Sequence, residues 1–313
     1  MTNTKSSLKG VLILLVTAVI WGSSFIAQEV GGGVGAFTFM GSRSFVGALT
    51  LLPVILVSDF IKRRRGLSGS QNAGSGGALL LGGTLCGFMM FVATNLQQFG
   101  MNFGTNSGKA GFITTLYIII VPIIGLFVGR RASRIIWVCA AVSVVGLFLL
   151  CNLDDMASFC IGDALVFLCA VAFAGHIMIV DRFAPRVDCL KMSCIQLFVC
   201  GVLSMAAALI FESPDFSEIL DNFFPIFYSG FMSSGIAYTL QMVGQRYTRP
   251  TLASMIMSLE SVFAMISNIV FPLISTSMAP YFPSAREIVG CVLIFAAIVV
   301  AQLKDTGSAE QKV

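Results

Sequence analysis

Ten apolar stretches follow one another along the chain, at roughly 10–30, 36–57, 78–99, 110–129, 133–151, 160–181, 190–211, 223–245, 251–273 and 286–303. Crossing the hydrocarbon core of a bilayer takes about 20 helical residues, and these stretches meet or approach that length. The pattern predicts an all-α polytopic membrane protein with ten transmembrane helices. Most connections are short, so the helices must pack as one bundle. The long exception, KRRRGLSGSQNAGSGG at 62–77, reads as a flexible loop from its Gly and Ser content. The first stretch exceeds a signal-peptide core and nine more follow it, so it reads as a retained span.

The pattern also repeats. Shifted by 143 positions, GFMMFVATNLQQFGMNFGTNSGKAGFITTLYIIIVPII (87–124) lies over GFMSSGIAYTLQMVGQRYTRPTLASMIMSLESVFAMIS (230–267) without a gap. Gly87, Phe88, Met89, Gln98, Thr105, Ala110, Ile113, Leu116 and Ile123 meet their own kind. A weaker match lays GVLILLVTAVIWGSSFIAQE (10–29) over GDALVFLCAVAFAGHIMIVD (162–181), and RSFVGAL (43–49) faces QLFVCGV (196–202). The chain therefore divides into two five-helix repeats, 1–152 and 153–313. Because five is odd, the second copy enters the membrane from the opposite side and the repeat is inverted, a recurring construction of secondary transporters.

Composition agrees: 57% hydrophobic, 11% charged and a mean hydropathy of +0.92 are far too apolar for a water-soluble globule of 313 residues. Basic residues collect in alternate connections, at Lys62–Arg65, Arg130–Arg134, Arg182–Lys191 and Arg246–Arg249. The acids Asp154, Asp155, Glu212, Asp215, Glu218 and Asp221 collect in the others. Basic loops stay inside, so both termini are expected in the cytoplasm and the protein in the cell (inner or plasma) membrane. The net charge of +4 is then mostly a topology signal, and no nucleic-acid partner is expected.

Several residues carrying these patterns resemble the drug/metabolite transporter superfamily in its ten-helix EamA-type branch. They are AVIWGSSFIA (18–27), Arg43, ASMIMSLESVFAMI (253–266) and IVGCVLIFAAIVVAQL (288–303). The resemblance spans essentially the whole chain. It implies two EamA-type units, a central solute cavity and movement of small metabolites without ATP, amino-acid-like solutes and export being favoured. Members commonly carry a Gly-Glu pair ending the fourth and ninth helices. Here Gly129 is followed by Arg130 and Arg131, and the ninth ends FPLISTSMAPYFP (271–283), so no role of those glutamates carries over.

Helical spacing nominates a cavity lining. Asn95, Gln98 and Asn102 share a face of helix 3, and the same offset reaches Tyr238, Gln241 and Gln245 of helix 8. Trp21 in helix 1 and Tyr117 in helix 4, the counterpart of Glu260, join them as substrate-binding candidates. The competing reading of each is interhelical hydrogen-bond glue. Glu260 in helix 9 is a carboxylate inside a span, which must face the bundle interior, a wet cavity or a partner. Three readings stay open: an ion pair with Arg43 of helix 2, a titrating carboxylate that couples protons to the solute, or a structural donor. His176, the only histidine, is a proton-relay candidate with Glu260 or a packing residue. A Pro122 break in helix 4 would free carbonyls toward a solute.

Other chemistries find little support. GTNSGKAG (104–111) has its glycines one residue too close for a phosphate loop, and Ala110 where Ser or Thr must reach magnesium. The nine cysteines show no metal-ligand spacing, though a Cys151–Cys160 disulfide is a candidate. No cofactor or metal is expected. The partners are a small-molecule metabolite, the lipid bilayer and protons as a candidate coupling ion, with monomer and homodimer both open. A channel, or a membrane-embedded enzyme, is the alternative to a carrier.

Overall fold

A computed structural model describes residues 4–30, 33–64, 76–105, 107–129, 132–150, 160–274 and 282–310. Arg65, Arg130, Arg131 and Cys151 lie outside them, and with them most of the 62–77 loop and one half of the candidate disulfide.

All ten expected spans are helical. Span 1 is Thr4–Val30, span 2 Ala36–Arg64, span 3 Gly76–Asn102, span 5 Arg134–Leu150, span 6 Ile161–Phe183, span 7 Cys189–Phe211 and span 10 Ala285–Glu310. Span 4 is two helices, Ser107–Thr115 and Tyr117–Phe127, and span 9 is likewise Pro250–Met257 and Glu260–Ile274. Span 8 changes type twice: α-helix Phe223–Tyr228, π-helix Ser229–Ala237 and α-helix Tyr238–Gln245. A short helix, Phe216–Asp221, precedes it. Among the described residues seven helical segments are long and apolar enough to cross a membrane unaided, and spans 1 and 5 add shorter apolar helices.

Packing follows the inverted repeat. Span 3 lies against spans 6 and 7, and span 8 against spans 1 and 2. Span 2 meets span 7, span 5 meets span 10, span 1 meets span 9 and span 6 meets span 4. Exchanging the repeats maps this set onto itself, which defines a pseudo-two-fold axis. In lipid, helices approach where small residues allow it. A Cβ on Gly87 would meet the Gln196 carbonyl at 2.6 Å and Val199 Cβ at 2.7 Å. One on Gly230 would meet the Arg43 carbonyl at 2.8 Å and Val46 Cβ at 2.6 Å. Arg43 and Val46 are the residues that the RSFVGAL and QLFVCGV alignment pairs with Gln196 and Val199, so the same contact is made twice. On the axis, Gly146 of span 5 and Gly290 of span 10 each face the other's carbonyl.

The breaks in spans 4 and 9 share a local cause. Thr115 Oγ1 donates to the Phe112 carbonyl at 2.9 Å and Ser258 Oγ to the Met255 carbonyl at 2.7 Å, at corresponding positions. Hydroxyls that bond back to the preceding turn compete with the helix ladder and bend it. One residue later the amides of Leu116 and Leu259 tighten onto Ile113 and Ile256, each at 3.2 Å. Pro122 is not the cause expected from the sequence. The break precedes it by a full turn, and span 9 breaks identically with Met265 in its place. Pro53 also lies inside an unbroken span 2.

Candidate functional site

Each break ends where a polar side chain begins the next half-helix: Tyr117 in span 4 and Glu260 in span 9. These counterparts meet across the axis. Tyr117 Oη donates to Glu260 Oε1 at 3.3 Å, and both residues are buried. The carboxylate inside the hydrocarbon run is therefore held by its own repeat partner, at the centre of the molecule.

A cavity with room of about 50 Å³ surrounds this pair. At about 10–15 Å³ per water, it holds a few waters. Its walls are built in matched halves: Trp21 opposite Phe173, Thr114 opposite Met257, Tyr117 opposite Glu260. Span 3 adds Thr94 and Gln97, span 8 adds Ser233, Tyr238 and Gln241, and span 2 adds Arg43, with Gln28 and Ile177 completing the lining. Trp21 stands edge-on to Tyr238 with ring centres 4.9 Å apart, and its Nε1 donates to the Ser233 carbonyl at 3.4 Å. Gln97 Nε2 donates to Thr114 Oγ1 at 2.9 Å. Buried Gln241 Oε1 has no hydrogen-bond partner.

Arg43 and Glu260 share this cavity but do not form the ion pair that was one of the three open readings. The guanidinium turns instead to span 8, with Nε donating to Ser234 Oγ at 3.2 Å and Nη2 to Ser233 Oγ at 2.9 Å. It can do so because the π-helix presents both serines and because Gly47 lets span 2 come close; a Cβ there would meet Ser234 Cβ at 2.8 Å and the Gly230 carbonyl at 2.9 Å. Nor does His176 reach Glu260. Its Nε2 bonds Gln196 Oε1 at 2.9 Å, its Nδ1 is buried without a partner, and the Tyr238 ring packs edge-on to it.

Asn95 and Gln98 stand off the cavity. Asn95 Nδ2 donates to the Phe91 carbonyl at 2.8 Å and to Ser204 Oγ of span 7 at 3.0 Å, the glue arrangement, and Gln98 Nε2 reaches Asn102 Oδ1 at 3.5 Å. Their places are taken by Thr94 and Gln97. The π-helix explains the shift. A π-helix spends more residues per turn than an α-helix, so whatever follows it is rotated back. At the start of the π segment the 143-residue register still holds, as Gly87 and Gly230 show. After it, Thr94 sits where Tyr238 does and Gln97 where Gln241 does, one residue out of register. The sequence carries the shift: beyond the π segment Leu96, Gln97 and Gly100 meet Leu240, Gln241 and Gly244 at an offset of 144. Helical spacing in helix 1 already places Gln28 on the face of Trp21, whereas Thr114 and Met257 carried no separate signal. Among the described residues no three His, Cys, Asp or Glu side chains gather for a metal ion.

Two halves of five spans, inverted about an axis that runs through a polar pocket, are the architecture of a membrane transporter. The chain belongs to the EamA-like transporter family, whose model matches residues 8–152 and 160–302. A relative from Archaeoglobus fulgidus, described as an uncharacterized transporter, is 25% identical over 298 residues, covering 93% of this chain and 85% of that protein. A solved crystal structure resembles the fold over 94% of this chain and 96% of the other, with a TM-score of 0.73 and 18% identity.

Proposed function

We propose that this transporter is a secondary carrier of a small polar or amphipathic metabolite, amino-acid-like, working by alternating access with export as its direction. Residues 1–152 and 153–313 act as its two halves, with both termini cytoplasmic in the plasma (inner) membrane. The observation that carries the reading is the cavity on the pseudo-two-fold axis, lined by matched residues of both halves. A site on the axis is reached equally from either side once one half rocks against the other.

The ends of the bundle support alternation. Gly10 of span 1 packs on Thr248 and the Gly244 carbonyl, and Gly162 of span 6 packs on Thr105 and the Gly100 carbonyl. These are corresponding contacts at opposite faces, and parting one while keeping the other opens the cavity to a single side. Glu260, held by a phenol rather than a cation, is the group suited to exchange a proton with the solute, so protons are the coupling ion of this reading. His176 is left to packing.

Counterflow in liposomes tests the proposal. A carrier loaded with unlabelled solute accumulates labelled solute above equilibrium and saturates. A channel gives linear flux without accumulation, an enzyme gives a chemically altered product, and either result refutes the reading. Proton coupling requires that an imposed pH gradient drive uptake in the native protein and fail to drive it in Glu260→Gln, with counterflow retained.

A further inference from the structure

We propose that Arg43, cradled by Ser233 and Ser234, is the subsite for a carboxylate on the transported solute; the inference rests on the carrier reading above and names its substrate class. Arg43 is 4% exposed and lies within a membrane-spanning helix, yet it borders the cavity. A guanidinium is always charged, and burying it without an anion is costly. Its side-chain contacts are all neutral: two serine hydroxyls and, from Nη1, the Met40 thioether at 4.0 Å. Among the described residues no Asp or Glu lies within ion-pair distance of it.

The other repeat shows that packing does not require this charge. The counterpart of Arg43 is Gln196, fully buried in the corresponding interface and bonded to His176. A neutral amide solves the same helix contact, so the cation in the first half has another task. Its two serine contacts leave N–H capacity unused, and the planar fork matches a carboxylate through two parallel hydrogen bonds. The same cavity offers acceptors, Glu260 and the unpartnered Gln241 Oε1, which suit an amino group on the same solute. An aliphatic amino acid meets both demands.

The second of the two tryptophans, Trp137, lies in span 5 away from the cavity, so Trp137→Phe leaves Trp21 as a fluorescent reporter beside Ser233. The purified full chain is titrated with propionate and propionamide, and with L-leucine and L-leucinamide, pairs that differ only in the carboxylate. The acids should shift Trp21 emission saturably, and the amides should require about 10- to 100-fold higher concentration, the worth of a charge-assisted hydrogen bond. Arg43→Lys should keep the preference at weaker affinity, and Arg43→Gln should abolish it. Acids and amides binding alike, acid affinity unchanged in Arg43→Gln, or no acid altering the emission would each overturn the subsite. Counterflow on the same preparations separates the two claims. Counterflow of a neutral or cationic solute without acid binding removes the subsite and keeps the carrier; acid binding without counterflow of any solute does the reverse.

Discussion

The Gly10 and Gly162 ends of the bundle are closed by the same packing unit and by different chemistry. Each sets a glycine against a threonine and a glycine carbonyl. At the Gly162 end Asp163 gathers a network: Oδ2 accepts Lys109 Nζ at 2.6 Å and the Cys160 amide at 3.0 Å, and Oδ1 accepts Thr105 Oγ1 at 2.9 Å. At the Gly10 end the corresponding residues are Val11 and Leu252, and the nearby cation, Lys9, sits over the Tyr247 ring at 5.3 Å. The inverted repeat thus fixes where the molecule closes, while side-chain chemistry sets how firmly. The Lys109–Asp163 ion pair strengthens the closure at one face, and Val11 and Leu252, the corresponding residues at the other, make no such pair.

The largest effect should come from removing the ionic half. Breaking a buried pair by neutralising one partner costs about 3–5 kcal/mol. Asp163→Asn should lower the free energy for opening the Gly162 end by that order, with the Gly10 end unchanged. Hydrogen exchange read by mass spectrometry should show amides near Gly100–Thr105 losing about two to four orders of magnitude of protection. Equal loss near Gly244–Thr248 would mean that the ends are not independent closures.

Glycine substitutions sharpen the comparison at a smaller scale. A Cβ at Gly162 runs into the Gly100 carbonyl, which is backbone and cannot turn away. At Gly10 the first obstacle is the Thr248 hydroxyl, the end of a side chain, and the Gly244 carbonyl stands at 3.0 Å. Overpacking costs about 1–3 kcal/mol. Gly162→Ala should fall at the upper end of that range and Gly10→Ala at the lower, in thermal unfolding of the purified protein. The reverse order would contradict the backbone-versus-side-chain argument.

These closures also show what could be read from the sequence. The 143-residue repeat contains Thr105 and Thr248 as identities, and the weaker match pairs Gly10 with Gly162. That the repeat is inverted follows from five being odd. Arg43, Trp21, Tyr117, Tyr238, Gln241 and Glu260 were nominated from helical spacing and the cost of charge in lipid, and they surround one cavity. Asn95 and Gln98 were misplaced because a fixed register assumes α-helix throughout, and nine residues of π-helix in span 8 break that assumption. The Asp163 network was invisible for another reason. Lys109 and Asp163 are 54 positions apart and meet only when spans 4 and 6 pack.

On the axis a phenol of one half faces a carboxylate of the other. Tyr117→Phe removes only that hydrogen bond and should cost about 1 kcal/mol of stability. It should also alter the pH dependence of proton-driven uptake, because Tyr117 contacts the Glu260 carboxyl directly. An unmoved pH profile with the same stability loss would make the pair structural.

The smallest expected effect tests how spans 2 and 7 are capped. Span 7 carries its own N-cap, Asp188, whose Oδ1 accepts the Leu190 and Lys191 amides at 3.0 and 3.3 Å, while Oδ2 pairs with Lys62 at 2.7 Å. The start of span 2 has Gly35 there instead, and Glu212 of the adjoining chain segment reaches across to accept the Phe37 and Thr38 amides at 2.9 and 2.8 Å. A Cβ on Gly35 would meet that carboxylate at 2.5 Å, so the glycine makes room for a cap supplied in trans. Partial burial pushes the Asp188 carboxyl up, but Lys62 and the two amides outweigh it and hold the group below the ordinary carboxylate range. A depressed folded pKa stabilises at pH values above the unfolded one, about 3.9, and the contribution disappears as pH falls through the folded value. Asp188→Ala should therefore cost about 1 kcal/mol at neutral pH, as lost N-caps do. Its unfolding curve should converge with that of the native protein as the pH is taken below about 3.9. A gap that persists in acid would assign the loss to packing rather than to charge and cap.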